Sequence, residues 1–145
     1  MITLLRHAES VNNRYHQDEL DPSLTSYGKR QASFLNDYYD YILISPMART
    51  KETFEYSQLT GDVIEYSTLC RGKIGTKYHL GNIMEGEINL IENGDDFEFR
   101  LKLLKLYIKE KSKIYDSILI ITHRAVIKSL TNQYVDNATF IDLPL

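Results

Sequence analysis

Short apolar runs recur along the chain, and each one ends abruptly at a polar or charged residue. The clearest are Ile2–Leu5, Tyr41–Ile44 and Ser117–Ile121. They are rich in β-branched or aromatic residues and too short for helices that carry a core, so they predict buried parallel strands that are apolar on both faces. A weaker strand is predicted at Asp62–Tyr66 and an edge strand at Thr139–Leu143.

Segments with helical character separate these strands. Helices are predicted over residues 25–39, 47–57, 95–113 and 124–133. In the first, the small residues Gly28 and Ala32 share a face and allow the helix to lie close to the sheet. In the third, the apolar positions recur at helical spacing and form a stripe that faces the core, namely Phe97, Leu101, Leu104 and Ile108. Strands that alternate with helices predict an α/β fold with a parallel sheet.

Length and composition indicate a single globular domain that spans residues 1–145. The net charge of −3 argues against nucleic acid or an anionic membrane as a partner. No apolar stretch approaches the ~20 residues that span a bilayer, and no secretion signal is evident. The single cysteine, Cys70, fits a reducing compartment. We therefore expect a cytoplasmic protein.

The stretch over residues 67–93 differs from the rest of the chain. It is rich in glycine and has no clean periodicity. Long irregular connections in compact domains are usually functional or disordered. The position of this one predicts a lid or pocket wall over one end of the sheet, where substrate specificity would be decided.

Two arginines and two histidines follow the predicted strands at the points where those strands end. Arg6 and His7 end the first strand, Arg49 lies one turn beyond the second, and His123 follows the strand at 117–121. Ligands of open α/β sheets bind beyond the carboxyl ends of the strands, so these side chains are expected to converge. Arginine forks hold phosphoryl oxygens, a neutral imidazole attacks phosphorus, and a second, cationic imidazole stabilises the transferred group.

At these residues the sequence resembles the histidine phosphatase superfamily, the phosphoglycerate mutase-like group. Ala8 stands where that family's Arg-His-Gly-Glu signature usually has glycine. The resemblance extends over essentially the whole chain, in the right order. The matching segments are Leu5–Ser10, Asn13, Leu24–Ala32, Ser45–Thr50 with Thr53, Thr122–His123 and Asn137–Thr139.

This resemblance implies a three-layer α/β/α fold with a mostly parallel central sheet, and it implies roles for individual residues. His7 would be the nucleophile that becomes a phosphohistidine. Arg6 and Arg49 would bind the phosphoryl oxygens, His123 would complete the tetrad, and Asn13 would be an accessory contact. No metal or organic cofactor is implied. The substrate would be a phosphorylated small molecule or a phosphoprotein, and the oligomeric state stays open.

One part of the family pattern is missing, because no carboxylate occupies the position of the usual general acid. Depending on the alignment, that position holds Gly72 or Arg71, and Arg124 follows the second histidine where some branches have aspartate. Glu85 or Glu87 in the long connection is the alternative acid. General acid assistance matters most for poor leaving groups, so we expect slow turnover of alkyl monophosphates and a preference for activated phosphoryl donors.

Three functions therefore stay open: a phosphatase, a weakly active or non-catalytic member that binds a phosphorylated ligand, and a phosphomutase of the phosphoglycerate type. Mutases of this family tend to be longer, which favours the phosphatase. Arg71, Lys73 and Arg124 either add positive charge to the pocket mouth, for a substrate with a second anionic group, or pair with nearby carboxylates.

Overall fold

A computed structural model of the chain contains a central five-stranded sheet. It describes residues 1–17, 19, 21–73 and 92–145. The strands are β1 (Ile2–Arg6), β2 (Asn36–Ile44), β3 (Gln58–Tyr66), β4 (Ile118–Thr122) and β5 (Phe140–Asp142). Their order across the sheet is β3-β2-β4-β1-β5, and only β5, at one edge, runs antiparallel to its neighbour.

Helices cover both faces of this sheet and make a three-layer α/β/α domain. Within the described residues they are α1 (Val11–Tyr15), α2 (Ser26–Ser33), α3 (Ala48–Tyr56), α4 (Gly94–Ser112) and α5 (Arg124–Thr131). A single 3-10 turn over Thr68–Cys70 follows β3. None of these helices has the length and hydropathy needed to cross a membrane.

The apolar strand runs supply both faces of the sheet, as predicted. In β4, Ile118 and Ile120 pack against α4 and α5, whereas Leu119 and Ile121 belong to the core on the opposite face. Alternate residues of a strand point to opposite faces, so a run that is apolar throughout is buried on both sides. The α4 stripe packs into the first of these cores with the four residues predicted for it, Phe97, Leu101, Leu104 and Ile108.

The first predicted helix is wrong in its extent. It ends at Ser33, and Tyr39 lies in β2, which begins at Asn36 and pairs with Gln58 at the start of β3. The aromatic residues of this segment favour an extended strand, and pairing with β3 decides the outcome. For the same reason β3 starts at Gln58, four residues before its predicted start.

Gly28 brings α2 close to a loop rather than to the sheet. A Cβ at residue 28 would meet the carbonyl oxygen of Glu9 at 2.0 Å, so only glycine fits there. Thr25 caps the helix, with its hydroxyl accepting the amide of Gly28 and donating to the Glu9 carboxylate. The start of α2 therefore supports the loop that follows His7.

Strand register sets the position of the site. Arg6 of β1 pairs with Thr122 of β4, and Ile44 of β2 pairs with Ile121. The amide of His7 donates to the carbonyl of Thr122, one residue beyond the strand. The carboxyl ends of β1, β2 and β4 therefore lie level at one edge of the sheet, where α/β proteins bind their ligands.

Candidate active site

A cavity of about 410 Å³ opens at this edge of the sheet. Its walls include all five residues predicted for the site: Arg6, His7, Asn13, Arg49 and His123. The two imidazole rings lie with their centroids 5.4 Å apart and their planes tilted by 58° to each other. Side chains that are distant in sequence thus meet in one pocket, as the strand ends predict.

His7 is fixed in one tautomer by its own backbone neighbour. Nδ1 lies 2.7 Å from the carbonyl oxygen of Ala8, and a carbonyl only accepts, so Nδ1 carries the hydrogen. Nε2 is left with its lone pair. Burial, followed by the charge of Arg49, lowers the pKa of His7 to about 3. The imidazole is therefore neutral near pH 7, which is the form that acts as a nucleophile.

His123 has the complementary arrangement, with the hydroxyl of Ser45 2.7 Å from its Nε2. That hydroxyl accepts the amide of Met47, and Nε2 is the one acceptor among the described residues for its proton. Ser45 therefore donates to Nε2, and the ring hydrogen lies on Nδ1, a buried atom with no partner in the described residues. Burial, followed by Arg49, places the pKa of His123 well below its usual value, so the ring is a neutral donor and not the cation expected from the sequence.

Both arginines also present buried nitrogen atoms that lack a partner within the described part of the chain. These atoms are Nε of Arg6 and Nη1 of Arg49. Arg6 is held from the far side, where its Nη1 donates to the carbonyl of Val135 at 2.8 Å. Burial lowers the pKa of Arg49 to about 10, so its guanidinium stays charged at neutral pH. Buried donors without acceptors are costly, and an anion in the cavity would satisfy them.

Asn13 is anchored by its side-chain oxygen. Oδ1 accepts from the amide and hydroxyl of Ser10 and from Nδ2 of Asn137. Asn137 also donates to the carbonyl of His7 at 3.1 Å and so ties the loop after β1 to the last turn of the chain. With its oxygen engaged, Asn13 has its amide nitrogen available to donate to a ligand.

Gly72 closes the cavity on the side of β4. A Cβ at this residue would come within 3.1 Å of the His123 ring and 3.3 Å of Nη2 of Arg49. Three hydrogen bonds hold this segment in place: the hydroxyl of Thr122 donates to the carbonyl of Cys70, and Arg100 donates to the carbonyls of Leu69 and Arg71. A side chain at residue 72 would therefore crowd His123 and Arg49, which both line the cavity.

A buried ion-pair cluster stabilises this arrangement from behind. Glu92 accepts from Nη1 of Arg71 at 3.1 Å and from Nη2 of Arg100 at 2.6 Å. All three side chains are largely buried. Arg71 therefore pairs with a carboxylate, which decides between the two alternatives left open for it, and it is not part of the cavity wall. Sequence reasoning did not find Glu92 or Arg100, because Glu92 lies 21 positions from Arg71 and eight from Arg100, and no local pattern pairs these residues.

Among the described residues that line the cavity, none is an aspartate or a glutamate. The other proposed acids, Glu85 and Glu87, lie outside the described residues, as does most of the predicted lid or pocket wall. Residues 1–17, 19, 21–73 and 92–145 contain no group of histidine, cysteine, aspartate or glutamate that could hold a metal ion. The described part of the site therefore consists of cationic arginines and neutral hydrogen-bond donors around the neutral imidazole of His7.

Comparison of the sequence with family models gives one family for the N-terminal part of the chain. The model of the histidine phosphatase superfamily (branch 1) matches residues 2–69, which include β1, β2 and the segments that carry Arg6, His7 and Arg49. No curated protein sequence is significantly similar to this chain.

Solved structures share the fold over nearly the whole chain at low sequence identity. The alpha-ribazole phosphatase of Shigella flexneri is 19% identical with a TM-score of 0.74, and the match covers 96% of this chain and 87% of that one. A mutant phosphoserine phosphatase of Entamoeba histolytica, solved with phosphoserine, is 17% identical with a TM-score of 0.69 and the same coverage. The phosphoglycerate mutase of Bacillus anthracis is 19% identical with a TM-score of 0.67, covering 96% and 85%.

Proposed function

We infer that this chain, which belongs to the histidine phosphatase superfamily, is a phosphatase that hydrolyses a phosphorylated small molecule or a phosphoprotein through a covalent intermediate on His7. One observation carries the proposal. A neutral imidazole with a free Nε2 lies in a cavity where three buried nitrogen atoms, on Arg6, Arg49 and His123, lack partners within the described residues. A phosphoryl group supplies acceptor oxygens for these three nitrogen atoms, and its phosphorus is the electrophile for Nε2 of His7.

In the first step, Nε2 of His7 attacks phosphorus in line with the leaving oxygen. The N–P bond forms as the P–O bond to the leaving group breaks, and that oxygen departs with the bonding electron pair and takes a proton from solvent water. The Nδ1 hydrogen bond to Ala8 keeps the ring oriented and stabilises the positive charge that develops on it.

During this step the donors around the cavity stabilise the transferred group. Arg6 and Arg49 neutralise charge on the phosphoryl oxygens, while Nδ1–H of His123 and the amide nitrogen of Asn13 donate hydrogen bonds. Ser45 orients His123 so that its hydrogen is directed into the site rather than toward β2. Loss of a single donor of this kind commonly costs about 10²–10³ in rate.

In the second step, water attacks phosphorus from the side that the leaving group vacated. The N–P bond breaks, Nε2 recovers its lone pair, and the attacking water passes a proton to solvent as inorganic phosphate is released. The same donors serve both steps, because the transferred group carries the same charge in each. His7 returns to the neutral form that its burial favours.

The leaving group has no described carboxylate to protonate it. An alkoxide is a poor leaving group without an acid, whereas an aryl phosphate, acyl phosphate, phosphohistidine or phosphoanhydride departs more easily. We therefore propose that the substrate, a phosphorylated small molecule or a phosphoprotein, is an activated phosphoryl donor. Two of the structural neighbours are an alpha-ribazole phosphatase and a phosphoserine phosphatase, which supports phosphatase chemistry in this fold.

Release of p-nitrophenol from p-nitrophenyl phosphate tests the proposal, with His7→Ala as the inactive variant and His16→Asn as the control. His16 is exposed and adopts a left-handed backbone, which asparagine tolerates. We expect release by the wild type and the control and none by His7→Ala. Equal rates for wild type and His7→Ala contradict the proposal.

The second candidate is a member that binds a phosphorylated ligand without turning it over, and the absence of a described acid favours it. Vanadate binding without p-nitrophenol release would select this function. The intact pair of histidines argues against it, because binding alone does not require a free Nε2 on His7. Transfer between phosphoglycerates in a coupled assay would instead select a mutase.

A further inference from the structure

A second cavity, also of about 410 Å³, adjoins the first. The two share Lys73, Arg124 and Ala125, so they form one continuous depression along the start of α5. Lys128 lies one helical turn beyond Arg124 and lines the second cavity, together with Tyr134. The proposed phosphatase chemistry uses none of these residues.

The charges of the first cavity exceed what one phosphoryl group needs. Its described wall carries the four cations Arg6, Arg49, Lys73 and Arg124, with no aspartate or glutamate among the described lining residues. After burial, the charge of Arg124 lowers the pKa of the Arg6 guanidinium and the charge of Asp136 raises it, so Arg124 lies close to Arg6. A phosphate monoester dianion balances two of these charges, which leaves Lys73 and Arg124 toward the second cavity.

Aromatic packing holds the cations of the second cavity in place. The guanidinium of Arg124 lies 4.0 Å from the centroid of the Tyr134 ring, and the ammonium of Lys128 lies 4.8 Å from it. Lys128 also donates to the backbone and side-chain oxygens of Asn132 at 3.1 Å. A cation that packs over an aromatic ring still has N–H groups that can donate to an anion. Because the side chain is already ordered, it loses less conformational entropy on binding than a mobile side chain does.

One carboxylate lines the second cavity, and a neighbour already engages it. Glu98 accepts from the hydroxyl of Ser129 at 3.1 Å. Neither Lys73, Arg124 nor Lys128 forms a salt bridge with a carboxylate among the residues that the structure describes. The second cavity therefore keeps a net positive charge next to the phosphoryl site.

We propose that Lys73, Arg124 and Lys128 form a second anion-binding subsite, and that the substrate is a phosphate ester whose other end carries a carboxylate or a second phosphate. This inference rests on the proposed function, because the first anion must occupy the cavity of His7. It narrows the substrate class to doubly anionic compounds. An uncharged alcohol portion would leave these cations without an anionic partner among the described residues.

Calorimetric titration of the wild-type protein with non-hydrolysable ligands tests the subsite without requiring turnover. The ligands are propane-, butane- and hexane-bisphosphonate, each compared with the monophosphonate of the same chain length. The series spans different separations between the two charges. We expect at least one bisphosphonate to bind about tenfold more tightly than its monophosphonate, beyond the statistical advantage of two ends.

Charge-removing variants locate the effect. Arg124→Gln and Lys128→Gln should each reduce the ratio of bisphosphonate to monophosphonate affinity severalfold. The matched controls Arg30→Gln and Lys105→Gln remove exposed charges that line neither cavity and should leave the ratio unchanged. A ratio that is the same in all five proteins overturns the subsite alone, provided that the monophosphonates bind. If neither class of ligand binds, the proposed function fails and the subsite with it.

Discussion

Gly72 lies against the imidazole of His123, with the place of its missing Cβ 3.1 Å from Cγ of that ring. The same position is 3.3 Å from Nη2 of Arg49. Family resemblance places the general acid at residue 72 or 71, and Arg71 is paired with Glu92. A glycine at this position therefore leaves room for the leaving group and supplies no proton to it.

The wild type should accordingly hydrolyse an aryl phosphate far faster than an alkyl phosphate. Gly72→Glu places a carboxyl group beside the tetrad, and Gly72→Gln places a side chain of the same size there without an acid. Both variants must displace His123 or Arg49 by a few tenths of an ångström, so both should lose activity on the aryl ester. On the alkyl ester Gly72→Glu should exceed Gly72→Gln by up to about 10²-fold, toward the lower end of general acid effects.

Rates of hydrolysis for the two esters, measured where chemistry limits turnover, decide this prediction. Equal wild-type rates on alkyl and aryl esters would show that an acid is already present. In that event Glu85→Gln and Glu87→Gln identify which glutamate supplies the proton. Equal rates for Gly72→Glu and Gly72→Gln on the alkyl ester would show that residue 72 does not face the leaving group.

Burial of a neutral His7 makes the stability of the protein depend on pH. The pKa of His7 is about 3 in the folded chain against about 6.5 when unfolded, so the unfolded state binds more protons between these values. The contribution of the neutral His7 ring to the free energy of unfolding is therefore fully present above pH 6.5, and it falls as the pH decreases toward 3. Between pH 7 and pH 5 His7 should account for a loss of about 2 kcal/mol.

Urea unfolding at these two pH values, in buffer without phosphate, measures this loss. His7→Gln should lose about 2 kcal/mol less than the wild type, since glutamine does not titrate. The matched control is His16→Asn, because His16 is exposed. This variant should lose as much unfolding free energy between pH 7 and pH 5 as the wild type does. If the wild type and His7→Gln lose the same unfolding free energy between the two pH values, His7 is not buried in the neutral form.

Glu92 holds two buried arginines, so its charge should matter for folding. Glu92→Gln leaves Arg71 and Arg100 without their carboxylate, and breaking a buried ion pair on one side commonly costs about 3–5 kcal/mol. Glu110 is the control, because its pair with Lys113 is 70% exposed on both sides and Glu110→Gln should cost under about 1 kcal/mol. Similar changes in unfolding free energy for the two variants would contradict the burial of this cluster.

Ser45 should act on the reaction only through His123. Ser45→Ala removes the hydrogen bond that fixes the tautomer of that ring, and kcat/KM should fall about tenfold, equivalent to about 1.4 kcal/mol. In a His123→Ala background the same substitution should have almost no further effect. Additive losses in the double variant would show that Ser45 supports the site by another route.

The sequence was most informative where one local pattern decides the outcome. The stripe of α4 and the strand ends that carry His7 and His123 depend on periodicity and on short apolar runs, which a single segment displays. The end of α2 depends instead on β3, because the segment that includes Tyr39 becomes a strand only when Gln58 and its neighbours pair with it. A prediction from local pattern alone extends that helix too far.

Side-chain partners that are distant in sequence were not predictable for the same reason. Ser45 marked a strand end, but its bond to His123 crosses 78 positions and depends on sheet register. Arg71 was ambiguous because its partner Glu92 lies 21 positions away, near the other end of the long connection. The protonation of His123 also required the structure, since burial and Arg49, rather than residue type, decide it.

Formation of phosphohistidine on His7 is the most direct test of the proposed function. The protein is mixed with an aryl phosphate, quenched in alkali within the first turnover, and mapped by peptide mass spectrometry, with His7→Ala in parallel. The mechanism predicts a phosphoryl group on the peptide that contains His7, absent from the variant, together with the loss of hydrolysis. Hydrolysis that continues at the wild-type rate in His7→Ala, or a phosphoryl group on another residue, would contradict it.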